Sequence, residues 1–134
     1  VDYLPVFPEW KGERIMKVSE LKGPLLDYWV ARAEGKKARI TPWGAEYLAP
    51  TEKTHAGVGC WHRFSPSTNG DQGIAIIERE CIDLTHIKGM VQPWLAMSEA
   101  DEWGHRRGDT PLEAATRCFV AGKFGDEVPD EIEE

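Results

Sequence analysis

The stretch Thr110-Pro111-Leu112-Glu113-Ala114-Ala115-Thr116-Arg117-Cys118-Phe119-Val120-Ala121-Gly122-Lys123-Phe124-Gly125 carries the clearest structural signal in the chain. Thr110 and Glu113 stand at capping-box spacing, Pro111 suits a first helical turn, and Gly125 suits a helix end. Leu112, Ala115, Cys118, Phe119 and Ala121 supply a face to bury. A helix is therefore expected over 111–124. A second is expected over about 24–34, with Pro24 in its first turn, Gly35 past its end, and Leu26, Trp29, Val30 and Ala33 at one-face spacing.

Working outward, Ile40-Thr41 reads as a short strand before Pro42, and the Gly-, Pro-, Ser- and Thr-rich run from Pro42 to Gly73 reads as a long loop of the kind that carries binding. In the next segment Ile74, Ile77 and Cys81 suit a helix, while its isoleucines suit a strand. The reading favours a short helix capped near Asp71. Ile82–Ile87 and Val91–Met97 are expected to be strands pairing across Lys88-Gly89. The fold class expected is α+β, two principal helices packed on a small antiparallel sheet, with long loops. Residues 1–15 read as an N-terminal arm or leader, 16–129 as a single domain, and 130–134 as an acidic tail. Pro129–Glu134 is expected to add little to the core.

A chain of 134 residues that is 41% hydrophobic and 29% charged can bury a core without a staple, and its composition is not that of a disordered protein. No apolar run approaches the roughly 20 residues that span a bilayer, so no membrane partner is expected. The first ten residues lack a secretory pattern. Cys60, Cys81 and Cys118 are odd in number and widely spaced, which suits free thiols and a cytoplasmic location. The net charge of -7 is concentrated in Asp126, Glu127, Asp130, Glu131, Glu133 and Glu134, and without those six the charges come close to balance. A general duplex-DNA binder, which needs a broad basic face, is disfavoured. A small anionic ligand is not.

Ser19-Glu20-Leu21 followed by Leu26-Asp27-Tyr28-Trp29-Val30-Ala31-Arg32-Ala33-Glu34-Gly35 resembles the opening of NinX-like phage and prophage proteins. Ser65-Pro66-Ser67-Thr68, Ile76-Ile77-Glu78-Arg79-Glu80, the run from Thr110 to Ala121, and Gly125-Asp126-Glu127-Val128 follow in the family's order. The resemblance covers roughly Met16 to Pro129. Residues 1–15 lie outside it, and Gly70-Asp71-Gln72 stands where the family is more aromatic. The resemblance implies a phage origin and work inside an infected bacterium, and carries over no catalytic residues.

Phosphate-loop, nucleophile-elbow, zinc-helix and paired-cysteine signatures are all missing, so neither an enzyme nor a cofactor is expected. His55, Cys60 and His62 fall short of a zinc ligand set, so no metal is expected either. Asp27, Glu34, Glu78 and Glu80 read as solvated helix faces. Gly104-His105-Arg106-Arg107-Gly108-Asp109 precedes the capped helix, where unpaired N–H groups, the helix dipole and two guanidinium groups would suit a phosphate. The bland alternative is that Asp109 and Thr110 already satisfy those N–H groups and that the arginines meet the acidic tail.

Trp61, Trp94 and Trp103 fall in or beside loops, and an indole can stack on a nucleobase. The candidate ligand-binding set is therefore Trp61, Arg63, Ser65, Ser67, Thr68, Trp103, Arg106, Arg107 and Thr110, and the expected ligand is a small nucleotide-like molecule. The equal alternative is that the tryptophans close a small core or a homo-oligomer interface. The leading function is non-catalytic capture of a nucleotide-derived molecule, with sequestration of a host defence signal as its use. A protein-interaction module that modulates a host or phage recombination or replication enzyme is the runner-up, and a degrading enzyme is third.

Overall fold

The computed structural model describes residues 14–49, 59–101 and 104–130. In chain order these form β1 (Ile15–Lys17), a short 3-10 turn (Val18–Glu20), α1 (Gly23–Ala33), β2 (Ala38–Thr41), β3 (Gly44–Ala49) and β4 (Cys60–Arg63). There follow α2 (Gly70–Glu80), β5 (Asp83–His86), β6 (Trp94–Met97), β7 (Arg106–Gly108), α3 (Pro111–Phe124) and β8 (Glu127–Pro129). The class is α+β. Where a single small sheet was expected there are three, all antiparallel, ordered β2-β3-β4, β5-β6-β7 and β1-β8.

The two expected helices stand at the expected bounds. The Thr110 Oγ1 accepts the Glu113 N–H at 3.1 Å, the first half of a capping box, and the Glu113 carboxylate reaches one residue past the cap to accept the Asp109 N–H at 3.0 Å. Neither helix, however, shows a single apolar stripe. Leu26 through Ala31 are all buried in α1, and Ala114 through Ala121 in α3. The cause is packing on two sides: α1 lies between β2–β3 and α3, while α3 lies against α1, α2 and the β5–β7 sheet. The core is therefore the α1–α3 contact with a sheet behind each helix.

The long loop expected after Pro42 is a correction. The strand expected before Pro42 is present as β2, ending at Thr41, but Pro42 does not open a long loop. With Trp43 it makes the turn that returns the chain as β3, and the Thr41 hydroxyl braces that turn by donating to the Gly44 carbonyl at 3.0 Å and accepting the Trp43 N–H at 3.2 Å. Proline is well suited to such a turn, since its φ is preset and it donates no ladder bond. The registers Ala38↔Tyr47, Ile40↔Ala45 and Tyr47↔His62 put these residues on the helix-facing side, leaving Arg39, Glu46, Leu48, Trp61 and Arg63 on the other.

Helix α2 begins two residues earlier than expected, capped by Asn69, whose side chain accepts the Gln72 N–H at 3.3 Å. Its buried residues are Gly73 and Ile76, whereas Ile74 and Cys81 are exposed, so the face read from the isoleucines was rotated. The β5–β6 pairing is as expected in partner and sense, but the strands are shorter and residues 87–93 form the connection in place of a tight Lys88-Gly89 turn. Pro129 is also a correction. It is buried in β8, opposite Ile15, so the core reaches one residue further than expected. Residues 131–134 lie outside the described residues.

Strand β7 lies flat on the first turn of α3. A Cβ added at Gly108 would stand 2.5 Å from the Ala114 nitrogen and 3.0 Å from the Glu113 Cβ, with helix backbone unable to yield. Gly108→Ala is expected to cost about 1–3 kcal/mol, the usual range for overpacking. Thermal unfolding of the variant checks this, and an unchanged melting temperature would show that β7 can lift.

Candidate functional site

Arg106 is 13% exposed and fully engaged. Its Nε and Nη2 hold the two carboxylate oxygens of Asp101 at 2.7 and 3.0 Å, and Nη2 also meets Asp126 at 2.6 Å. The Asp101 hydrogen bonds, outweighing the opposing effect of burial, raise its pKa further above the ordinary arginine value. Arg107 directs Nη2 at the Met90 sulfur, 2.9 Å away. Thr110 caps the helix, and the Glu113 carboxylate supplies the negative charge that the helix dipole favours. Of the phosphate cradle expected from Arg106, Arg107 and Thr110, Arg106 and the helix end are already met by the chain's own acids, while Arg107 faces Met90. Asp126 belongs to the acidic run that the alternative reading had the arginines meet, whereas Asp101, five residues before Arg106, was not foreseen as its partner.

The Ser65–Thr68 turn does lie beside that end of α3: the Leu112 side chain and the Pro66 carbonyl meet over Gly73. Several of its polar groups are committed to the fold, while the buried Ser67 hydroxyl has no hydrogen-bond partner among the described residues. The Ser65 N–H donates to Gln72 Oε1 at 2.7 Å, the Thr68 hydroxyl donates to the Ser65 carbonyl at 3.4 Å, and the buried Ser67 donates its N–H to Asp27 Oδ1 at 2.8 Å. Trp61 and Arg63 are elsewhere, on the outer face of β4. There the Arg39 guanidinium stacks 4.0 Å from the Trp61 ring centre and holds Glu46 at 2.7 Å, while Arg63 is exposed with no side-chain partner among the described residues. Trp103 and His55 lie outside the described residues. The eight candidates among the described residues therefore do not converge on one site.

Asp27 is the second misread residue. It is 3% exposed within α1 rather than solvated, and burial, only partly offset by hydrogen bonding from Ser67, raises its pKa from 3.8 to about 6. Glu34, also read as solvated, has a side chain only 10% exposed, because Lys36 and Arg79 close on it at 3.1 and 3.0 Å.

That pair of contacts marks a hollow that the sequence reading missed. Where the C-terminal ends of α1, α2 and α3 converge, a cavity of about 340 Å³ is lined by Ala33, Glu34, Lys36, Arg79, Glu80, Phe119 and Lys123. The Phe119 ring forms an aromatic wall, with the Arg79 guanidinium 5.3 Å and the Lys123 ammonium 5.9 Å from its centre. Arg79 and Lys123 belong to the last turns of α2 and α3, where a helix dipole favours cations whether or not a ligand binds. Lys123 has no carboxylate partner among the described residues. A second cavity, about 730 Å³, shares the Arg79–Glu80 wall and continues over Cys81, Asp83 and Met97 to Ala100.

Among the described residues no group of three or more His, Cys, Asp or Glu side chains is placed to hold a metal ion, and no helix is long and apolar enough to cross a membrane. The three cysteines are free thiols, Cys60 and Cys81 exposed and Cys118 buried. A search of curated proteins returns no match. The family model described as Bacteriophage P22, NinX matches residues 17–123, a span that holds both hollows, and the chain belongs to that family of phage proteins.

Proposed function

We propose that this phage protein is a non-catalytic binding protein that captures a small nucleotide-derived molecule, withdrawing a host defence signal during infection. The observation that carries the reading is the pair of adjoining hollows on either side of Arg79, whose volumes of about 340 and 730 Å³ fall in the range that suits small ligands. Lys36, Arg79 and Lys123 offer donors to a phosphate around an aromatic wall. Glu34, Glu80 and the helix C-termini offset much of that charge, so moderate rather than extreme affinity is expected. Asp27, the buried carboxyl group shifted towards neutrality, lines neither hollow.

A panel of mono-, di- and cyclic nucleotides and ADP-ribose conjugates tests the reading by thermal shift, since a ligand that binds only the folded state stabilises it by roughly 2.7 kcal/mol at a hundredfold excess over Kd. Lys123→Ala should weaken the binding member by about 1.5–3 kcal/mol, the worth of a hydrogen bond to a charged group, and the compound should be recovered unchanged. A panel without any shift would overturn the reading. The second reading, an interaction module acting on a recombination or replication enzyme, is favoured by one observation: Trp43, at the β2–β3 turn, is 76% exposed, on the hairpin that carries the Arg39 partner of Trp61. A partner retained by the protein but lost with Trp43→Ser, together with a silent panel, would establish it instead.

A further inference from the structure

The outer face of the β2-β3-β4 sheet lies apart from both hollows, and the register sets its side chains in two rows. Arg39, Glu46 and Arg63 stand side by side across the three strands, and Leu48 and Trp61 form the next row. Lys37 extends that second row, because its carbonyl accepts the Leu48 N–H at 2.9 Å and its side chain alternates with that of the buried Ala38. Three cations therefore meet one acid. Glu46 gives a single carboxylate oxygen to Arg39, 2.8 Å from Nε and 2.7 Å from Nη2, which holds the guanidinium 4.0 Å from the Trp61 ring centre. Lys37 and Arg63 are exposed, and neither side chain has a partner among the described residues. Edge strands carry charge to deter pairing with another chain, and acids would serve that end as well as bases. On this face every charge at the β2 and β4 edges is positive.

We infer that this face binds single-stranded nucleic acid, with phosphates on Lys37 and Arg63 and a base against the Arg39–Trp61 stack between them. Bases stack on guanidinium planes as well as on aromatic rings, and such stacking tolerates any sequence. Lys37 and Arg63 lie two strands and one row apart, roughly 12 Å between their backbones, a gap their long side chains can close onto phosphates flanking a stacked base. A duplex fits the face poorly. Its bases are stacked on one another, and so few cations neutralise too few phosphates for a firm grip. An acidic protein segment would meet the cations but leave the flat stack unused. The inference stands independently of the capture reading, since none of these residues lines either hollow.

The experiment is fluorescence anisotropy at low salt with labelled oligothymidylate and oligouridylate, a blunt DNA duplex of the same length and an oligoglutamate peptide. At least one of the two single strands should bind roughly tenfold or more tightly than either the duplex or the peptide. Its log Kd should rise with log salt at a slope of about 1.4–2.1, as counterion release from two or three phosphates of a single strand implies. The double variant Lys37→Ala with Arg63→Ala should weaken binding by about tenfold or more and flatten that slope. Trp61→Leu should weaken it by roughly five- to a hundredfold and leave the slope unchanged, a split that a merely structural role would not produce. Circular dichroism confirms that both variants fold. Failure of both strands to bind overturns the inference. Duplex or peptide bound as tightly as the strands also overturns it, as does an affinity that the double variant leaves within about twofold of the parent. In each of these cases the nucleotide panel still decides the capture reading by itself.

Discussion

Arg117→Met should lower the free energy of unfolding by about 3–5 kcal/mol, the range for removing one member of a buried charged network. Arg117 is 0% exposed. Its Nε donates to the Leu21 carbonyl at 3.0 Å, its Nη1 donates to the Arg107 carbonyl at 2.8 Å, and the same Nη1 faces the Glu113 carboxylate at 3.2 Å. One guanidinium thus joins the segment before α1, strand β7 and the first turn of α3. Burial lowers its pKa, against which the nearby Glu113 and Asp109 hold the charge in place. Methionine fills much of the volume but leaves two backbone carbonyls and a half-shielded carboxylate without their donor. Urea unfolding followed by circular dichroism measures the loss. The companion variant Arg117→Met with Glu113→Gln should recover part of it, and a single-variant loss below about 1 kcal/mol would show that water replaces the guanidinium at little cost.

The second large effect is a pH dependence centred on Asp27. Its folded-state pKa of about 6 lies above the unfolded value of 3.8, so the native protein binds the proton more tightly than the unfolded chain does. This group therefore adds stability as pH falls through about 6 towards 4 and subtracts it as pH rises through the same window. A shift of this size corresponds to roughly 3 kcal/mol between the two limits. Asp27→Asn keeps an oxygen to accept the Ser67 N–H and carries no charge. The variant should be more stable than the parent at pH 8 by about 1–3 kcal/mol, with the advantage shrinking by pH 5. Parallel stability curves for the two proteins across that range would remove Asp27 as the cause.

Both residues show where sequence reading runs out. Thr110, Pro111, Glu113 and Gly125 declare α3 because a helix end is satisfied by its immediate neighbours. The bounds of α1 are legible for the same reason. Which sides of a helix are covered depends on elements elsewhere in the chain, so Asp27 looked solvated although β2, β3 and α3 enclose its helix. Strands β3, β4 and β7 were missed because each is short, carries charged or polar residues, and adjoins Gly or Pro that also suits a loop. The same logic applies to the candidate site. Arg106 and Arg107 have the side chains a phosphate needs, but Arg106 is neutralised by Asp126 from beyond α3 as well as by Asp101. The hollow at Arg79 is assembled from the ends of three helices, and no local motif announces it.

The pairing of β1 with β8 has a mechanical consequence. Ile15 lies opposite Pro129, and the Asp130 N–H donates to the Arg14 carbonyl at 2.7 Å, so the outermost residues of the two strands meet at one end of the ribbon. Tension applied through residues 14 and 130 would fall on that last hydrogen bond first and then open the ribbon a pair at a time. Its far end is the bond from the Val18 N–H to the Asp126 carbonyl at 2.8 Å, beside the ion pair of Asp126 with Arg106. The ribbon is loaded as a zipper and not in shear, so the force needed to start unravelling the domain is set by single bonds, while the α1–α3 core bears load only after that clasp has parted.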